Sequence, residues 1–449
     1  MGLRAQASNL AVLHAADVLQ PLLLLPYAAR VLGPEHFGQY AYALSIGQIA
    51  STVVDYGFHW TAQREAASAR HEPATLAAIL AEVCVTKMVL LLVVTLVGLA
   101  AADSFLALSK PMFLSVMLIS VGSIMFPAWL FIGLERAWQA AIGVVVARVL
   151  ALIAFFAMVK SPGQLDIAVA TQAAIPLISG VVTLPFLVAF GLGGFRSVSL
   201  SRIAAQLRNG WRGFLFTFVE RALMTLPVPL VEHFGGYAAA GQYSIAEKFV
   251  SATRPFFRVM SETFLPRVAF YARHDPAAGI ALVWRSLSTL IVGASLSLFL
   301  YFFAPYLILH LFGSGYSDAI PIVRTMAVLP VLMNANICTS NLYMFNFGHE
   351  RAWAILTVIG LAVFLALAYI LSRHMLNPSI GVVAAIIARE SVVLVVSAAF
   401  FLKFAAGRAR TPSPQSVAEA LPSVAATRSL RASAVLLAPR WGGQPRSER

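Results

Sequence analysis

Five polar residues recur along one otherwise apolar stretch: Glu247, Ser251, Arg254, Arg258 and Glu262, separated by 4, 3, 4 and 4 positions. On an α-helix that spacing puts all five on one face. The remainder, with Phe249, Val250, Phe256 and Phe257, is apolar. Guanidinium groups on such a face can offer paired hydrogen bonds to an anion where water is excluded, and neighbouring carboxylates can hold them in place. Pro255 lies inside the stripe and cannot donate to the Ser251 carbonyl, which predicts a kink and a freed acceptor at the same point. Lys248 falls about 100° off the stripe, placed for a neighbouring helix or for the interface.

The surrounding chain makes these charges unusual. Of 449 residues, 59% are apolar and 11% charged, with a mean hydropathy of +0.81, whereas soluble domains carry about 25% charge. This is the composition of a polytopic membrane protein, for which no nucleic-acid partner is expected. Cys84 and Cys338 each sit in an apolar segment, far apart, so neither a disulfide framework nor a cysteine metal site is indicated. No catalytic set, metal site or cofactor is expected.

About 20 apolar residues cross a bilayer, which places twelve helices near 9–32, 37–62, 78–102, 111–133, 139–159, 166–191, 211–234, 237–263, 281–304, 320–345, 352–372 and 379–403. The first is too long for a signal-peptide core and is interrupted by Asp17 and Pro26, so it reads as an uncleaved helix. Most of the 32 basic residues fall in one alternate set of loops and termini, including Arg64, Arg136, Arg202, Arg267, Arg351 and the tail. By the positive-inside rule both termini are then cytoplasmic. The longest polar connection divides the chain into an N-lobe (1–195), a linker (196–210), a C-lobe (211–404) and a basic tail (405–449) whose Ala, Ser, Pro and Arg content predicts disorder.

The halves repeat. At an offset of 203 residues, Pro26 falls on Pro229, Gly33 on Gly236, Gly38-Gln39-Tyr40 on Gly241-Gln242-Tyr243, and Asp17 on Glu220. At an offset of 215, Gly133-Leu-Glu135-Arg136-Ala-Trp138 falls on Gly348-His-Glu350-Arg351-Ala-Trp353. The 12-residue change is expected in the outer loop around His310 to Ala319. The expectation is an all-α polytopic membrane protein: 12 transmembrane helices in two pseudo-symmetric six-helix lobes around a central cavity.

The stretch Leu25-Pro26-Tyr27-Ala-Ala-Arg30-Val-Leu32-Gly33-Pro34-Glu35-His-Phe37-Gly38, with Asp55-Tyr56-Gly57 and Arg64-Glu65, resembles the N-terminal signature of bacterial polysaccharide-unit flippases of Wzx type. Gly210-Trp211, Gly241 to Lys248 and Pro266-Arg267 resemble its second-half counterpart. The likeness covers about residues 5–403 and extends to the multidrug/oligosaccharidyl-lipid/polysaccharide exporter superfamily. It implies alternating access that carries an undecaprenyl-diphosphate-linked oligosaccharide across the bacterial inner membrane for O-antigen or exopolysaccharide assembly. It also implies energising by a proton or cation gradient or the membrane potential. Membrane lipid, glycosyltransferases and a polymerase of the same pathway are the expected partners.

For such a cargo, Arg254 and Arg258, with Arg30, Arg148 and Arg221, are candidates to hold the diphosphate-sugar head in a cationic cavity. The alternative is that these arginines pair with Glu220, Glu247 and Glu262. Asp17 and Glu220 are candidates for coupling. The offset of 203 also brings Asp55 level with Arg258 and His59 level with Glu262, two pairs that could close the cytoplasmic side. Lys87 and Arg389-Glu390 read as structural. The rival functions are a drug or metabolite antiporter of the same fold, a membrane glycosyltransferase or polymerase, which usually needs a large outer loop, and a membrane scaffold.

Overall fold

A computed structural model describes residues 3–102, 106–190 and 198–408, with side chains described from Gln20 to Lys403 within them. Asp17 and the tail beyond Arg408 lie outside the described side chains. All regular elements among the described residues are helical. Among the described residues, nine runs are long and apolar enough to cross a membrane. One of these, Leu200–His274, contains two helices that meet at Gly236, and the run Leu3–Asp55, outside the nine, contains two that meet at Gly33. The described residues therefore form a multi-pass bundle of twelve helices.

They are α1 (3–32), α2 (34–55, continued by Phe58–Ser68), α3 (Pro73–Ala101), α4 (Lys110–Gly133), α5 (Ala137–Met158) and α6 (Pro162–Ala189). The second six are α7 (Leu200–Thr225, prolonged to 235), α8 (237–251 and Arg254–His274), α9 (Pro276–Leu311), α10 (Ala319–Met344), α11 (Glu350–His374) and α12 (Pro378–Arg408).

The repeat is written into the backbone. Gly33 has φ 72° and ψ 170°, Gly236 has φ 77° and ψ 178°, a region that side chains essentially exclude. Each glycine lets one helix turn back into the next at the face opposite the arginine-rich loops. Five residues later the two lobes touch. A Cβ on Gly38 would stand 1.7 Å from the carbonyl oxygen of Tyr237, and one on Gly241 would stand 2.3 Å from that of Pro34. Pro34 and Tyr237 are themselves related by the 203 offset, so the contact is self-complementary about a pseudo-two-fold axis between α2 and α8.

Side chains extend this seal. Buried Tyr316 donates its hydroxyl to the Ala29 carbonyl at 2.9 Å, and Tyr237 donates to the Ala107 carbonyl at 2.8 Å. Arg30 donates through Nε to the Leu311 carbonyl at 2.9 Å and through Nη2 to that of His310. All four join one half of the chain to the other.

Two sequence expectations change. The extra residues of the second half are not in the loop around His310 to Ala319, because the two connections, 102–109 and 312–318, are nearly equal in length. They lie in the helices and the turn that follows: α9 has 36 residues against 29 in α3, and α10 has 26 against 24 in α4, with three more before Gly348, whereas α4 ends on the matching Gly133. Part of α10, Ile337–Met344, is wound as a π-helix. Residues 200–210, expected as a linker, form the first three turns of α7. Arg202 and Gln206 of those turns bind Glu82 of α3, and burial with the neighbouring Glu82 charge pushes the Glu65 carboxyl up, partly offset by its hydrogen bond with Gln206.

At the arginine-rich face α7 leans on the first half: Tyr56 stacks on Phe214 with ring centroids 4.6 Å apart, beside Gly57 and Gly213. The same half of α8 packs on α9 and α10 instead. The two helices meet at Gly236 and part toward this face, and the space between them is a cavity.

Candidate functional site

The eighth helix breaks where its sequence demands. Regular winding ends at Ser251 and resumes at Arg254 with Pro255 in the first turn. The Ser251 hydroxyl donates to the Lys248 carbonyl at 3.1 Å. Beyond the break, Arg254, Arg258, Ser261 and Glu262 continue the polar face begun by Glu247.

That face lines a cavity of about 600 Å³, within the range typical of small-molecule sites. Among the described residues its wall comes from the second half: Phe216, Glu220 and Met224 of α7, the α8 stripe, Asn336, Ser340 and Asn341 of α10, Trp353 and Thr357 of α11, and Arg389 and Glu390 of α12 among others. The cavity thus sits on the second-lobe side of the pseudo-axis.

Of the expected residues, the structure brings Glu220, Glu247, Arg254, Arg258 and Glu262 to this one cavity. Arg30 lies at the opposite-face seal. Arg148 is half-buried on α5 and Arg221 exposed on α7, both away from the lining. Asp55 and His59 also lie outside it. Asp55 accepts from Lys87 Nζ at 2.7 Å, and Lys87, almost fully buried, donates in addition to the Ser123 carbonyl at 3.1 Å. The His59 ring packs edge-on against Trp60, with centroids 5.2 Å apart. The coupling candidate Asp17 lies outside the described side chains.

Within the cavity Glu247 is the hub of the stripe. It takes Lys248 Nζ at 2.9 Å and Arg254 Nη2 at 3.9 Å. Glu220 and Glu262 make no ion pair among the described residues. Four carboxylates, Glu220, Glu247, Glu262 and Glu390, face three guanidiniums, Arg254, Arg258 and Arg389. The lining is therefore mixed in charge, where the sequence suggested a cationic one.

Arg389 and Glu390, read from sequence as structural, pair with each other in the cavity wall. Asn336 Nδ2 donates to the Glu390 carbonyl at 3.0 Å and to its Oε2 at 2.5 Å. A signal for this wall was present: Asn334, Asn336 and Asn341 crowd one membrane span, and amides are costly in hydrocarbon unless they are bonded or wet.

Comparison with known proteins agrees with this architecture. Residues 5–271 match the model of a family described as polysaccharide biosynthesis protein. A protein of Escherichia coli (strain K12) named "Putative O-antigen transporter" is 26% identical over 402 residues, covering 88% of this chain and 95% of its own. A Shigella dysenteriae protein of the same name is 24% identical over 361 residues, covering 80% and 90%. Among solved structures, an inward-facing multidrug resistance MATE family transporter of the MOP superfamily superposes with a TM-score of 0.70 at 16% identity, covering 88% of this chain and 97% of that one. An outward-facing one gives 0.53 at 17% identity, covering 90% and 95%.

Proposed function

This chain belongs to the polysaccharide biosynthesis protein family, and from that premise we propose that it is a transporter, not an enzyme, that flips a lipid-linked oligosaccharide across a membrane. In this reading the cargo is an undecaprenyl-diphosphate-linked unit of a surface polysaccharide such as O-antigen. It moves from the cytoplasmic to the periplasmic leaflet of a bacterial inner membrane, with both termini cytoplasmic. Glycosyltransferases and a polymerase of the same pathway supply and consume it.

The observation that carries the proposal is the cavity itself. Guanidinium and carboxylate groups sit deep in membrane-spanning helices, a placement costly enough to mark a transport path. Arg258 and Arg254 offer bidentate donors to the diphosphate, and the polyprenyl tail stays in lipid. Glu220 lines the same cavity without an ion-pair partner among the described residues, which suits the coupling role proposed for it with Asp17. The backbone crossing at Gly38 and Gly241, with its inter-lobe hydrogen bonds, is the seal that alternating access would have to open.

One observation favours the runner-up. Four acids against three guanidiniums also suit a cation-coupled antiporter of drugs or metabolites. Substituting Arg258 separates the two. The flippase reading expects Arg258→Ala to stop surface glycan formation and to leave lipid-linked precursor in the cytoplasmic leaflet, at normal protein level, with Arg258→Lys retaining a part. Intact glycan in Arg258→Ala cells would sink it, and drug sensitivity in its place would support the antiporter.

A further inference from the structure

One element of the cavity wall, the π-wound turn of α10, has no π counterpart in α4. π-helical turns are rare and concentrate at functional sites because the wider winding re-aims side chains. Here the turn falls where α10 carries residues that α4 lacks; α4 at the matching depth is α-helix up to Met125, breaks at Phe126-Pro127 and is α-helix again from Ala128, with no π turn.

The back of the π turn is tied down. Thr339 shares a hydrogen bond with Ser397 of α12 at 2.8 Å, Cys338 donates to the Ser286 carbonyl at 3.6 Å, and Asn336 holds Glu390. Its front is not. Asn341 is exposed to the cavity. Its Oδ1 accepts only a long bond from Ser340, 3.3 Å, and its Nδ2 donates to no group among the described residues. Trp353 lines the same cavity, its ring held by Phe216 at 5.3 Å and Phe345 at 5.6 Å.

We propose that the π turn of α10, through Asn341 with Trp353, is the part of the cavity that reads sugar. The inference rests on the flippase reading and assigns the two ends of the cargo to different walls. A primary amide offers a donor and an acceptor side by side, which matches the hydroxyl and acetamido groups of a saccharide, each donor and acceptor together. An indole gives the apolar face of a sugar ring a flat surface with a polar edge. A diphosphate only accepts, so its best partners are the guanidiniums of Arg254 and Arg258 rather than the neutral amide of the π turn. An inserted turn in one lobe supplies selectivity without disturbing the repeated glycine framework.

The test uses the full-length protein in detergent and two probes. One is the lipid-linked glycan that accumulates when the transporter is deleted from its own host, extracted from those cells; the other is undecaprenyl diphosphate without sugar. Asn341→Ala is expected to weaken binding of the glycan lipid about three- to tenfold, the worth of one or two neutral hydrogen bonds, and to leave undecaprenyl diphosphate unchanged. Asn341→Gln keeps the amide and recovers part of the loss. Arg258→Ala weakens both probes. The proposal is overturned by equal loss of both probes, or by no loss of either, in Asn341→Ala while Arg258→Ala still weakens both. If Arg258→Ala weakens neither probe, the parent flippase reading fails, and it fails separately.

Discussion

The two halves share a backbone and differ in what they bury. In the first, a charge sunk in the membrane is neutralised locally: Lys87 holds Asp55 and the Ser123 carbonyl across α2, α3 and α4. In the second, the level position of α8 carries Arg258, which opens onto a cavity with Arg254, Glu220 and Glu262. Thr289 and Asn334, bonded at 2.8 Å through the Thr289 carbonyl, stitch α9 to α10 with neutral groups. One lobe thus packs its ionic pair between helices, and the other carries its ionic groups, several of them paired, on the wall of a cavity. Duplication preserves backbone contacts, which glycine makes possible; chemistry diverges at side chains, where a substitution need not move a helix.

The shared part should break symmetrically and hard. Gly38→Leu and Gly241→Leu both drive side-chain atoms into a facing carbonyl, at positions where even a Cβ would sit 1.7 Å and 2.3 Å from oxygen. Both variants should lose transport completely, through failure to close the seal or to fold. Gly213→Ala, whose Cβ would meet nothing nearer than 3.9 Å, should be nearly silent. A tolerated Gly38→Leu would mean that α2 and α8 do not cross there, and the pseudo-symmetric seal would go with it. Glycan display at matched protein level is the measurement.

Next in size is Lys87→Met. Removing one partner of a buried pair costs about 3–5 kcal/mol when the other stays buried. Asp55 keeps 39% of its side chain exposed, so the lower end of that range, or somewhat less, is expected. The loss should show as a lower melting temperature in detergent, with Asp55→Asn on the same chain recovering part of it. Lys248→Gln on α8 is the counterpart. With 49% of Lys248 exposed, its bond to Glu247 is worth about 0–1 kcal/mol. If the two variants melt alike, the lobes do not differ as argued.

How much of this was readable in the sequence depends on which physical quantity carried the signal. Helix number followed from apolar run length, and the glycine repeat from its fixed offset. The cavity-facing side of α8 followed from helical period, and the break at Pro255 from a missing donor. The facing of helices did not follow. Asp55 is level with Arg258 by alignment, yet equal depth in two lobes does not make two side chains meet, and the ion partner of Asp55 is Lys87, 32 residues on. Nor did the site of the extra residues follow: a loop absorbs insertions at little cost, and a π turn has no composition of its own. Arg389 and Glu390 looked self-satisfied because they are adjacent, and they do pair; that they do so in the cavity wall depends on how α12 is rotated.

The smallest expected effect concerns the boundary between the halves. The first turns of α7 dock on the first lobe, through Arg202 and Gln206 on Glu82, beside Glu65. Burial, then the Glu82 charge, raises the Glu65 pKa above its ordinary value, and the Gln206 hydrogen bond opposes them. A carboxyl whose folded pKa is raised binds protons more tightly when folded, so its charged form opposes docking. Stability from this group is therefore greatest below its ordinary pKa and is lost as pH rises through the raised one. Glu65→Gln removes that opposition and should leave the melting temperature at neutral pH unchanged or slightly raised, with a shallower fall as pH rises above the ordinary carboxyl range. Glu82→Gln removes the acceptor of Arg202 as well and should lower it. A lower melting temperature in Glu65→Gln would mean that Glu65 is charged and bonded at the α7 contact, and that the basic half of α7 is held to the first lobe by two acids rather than one.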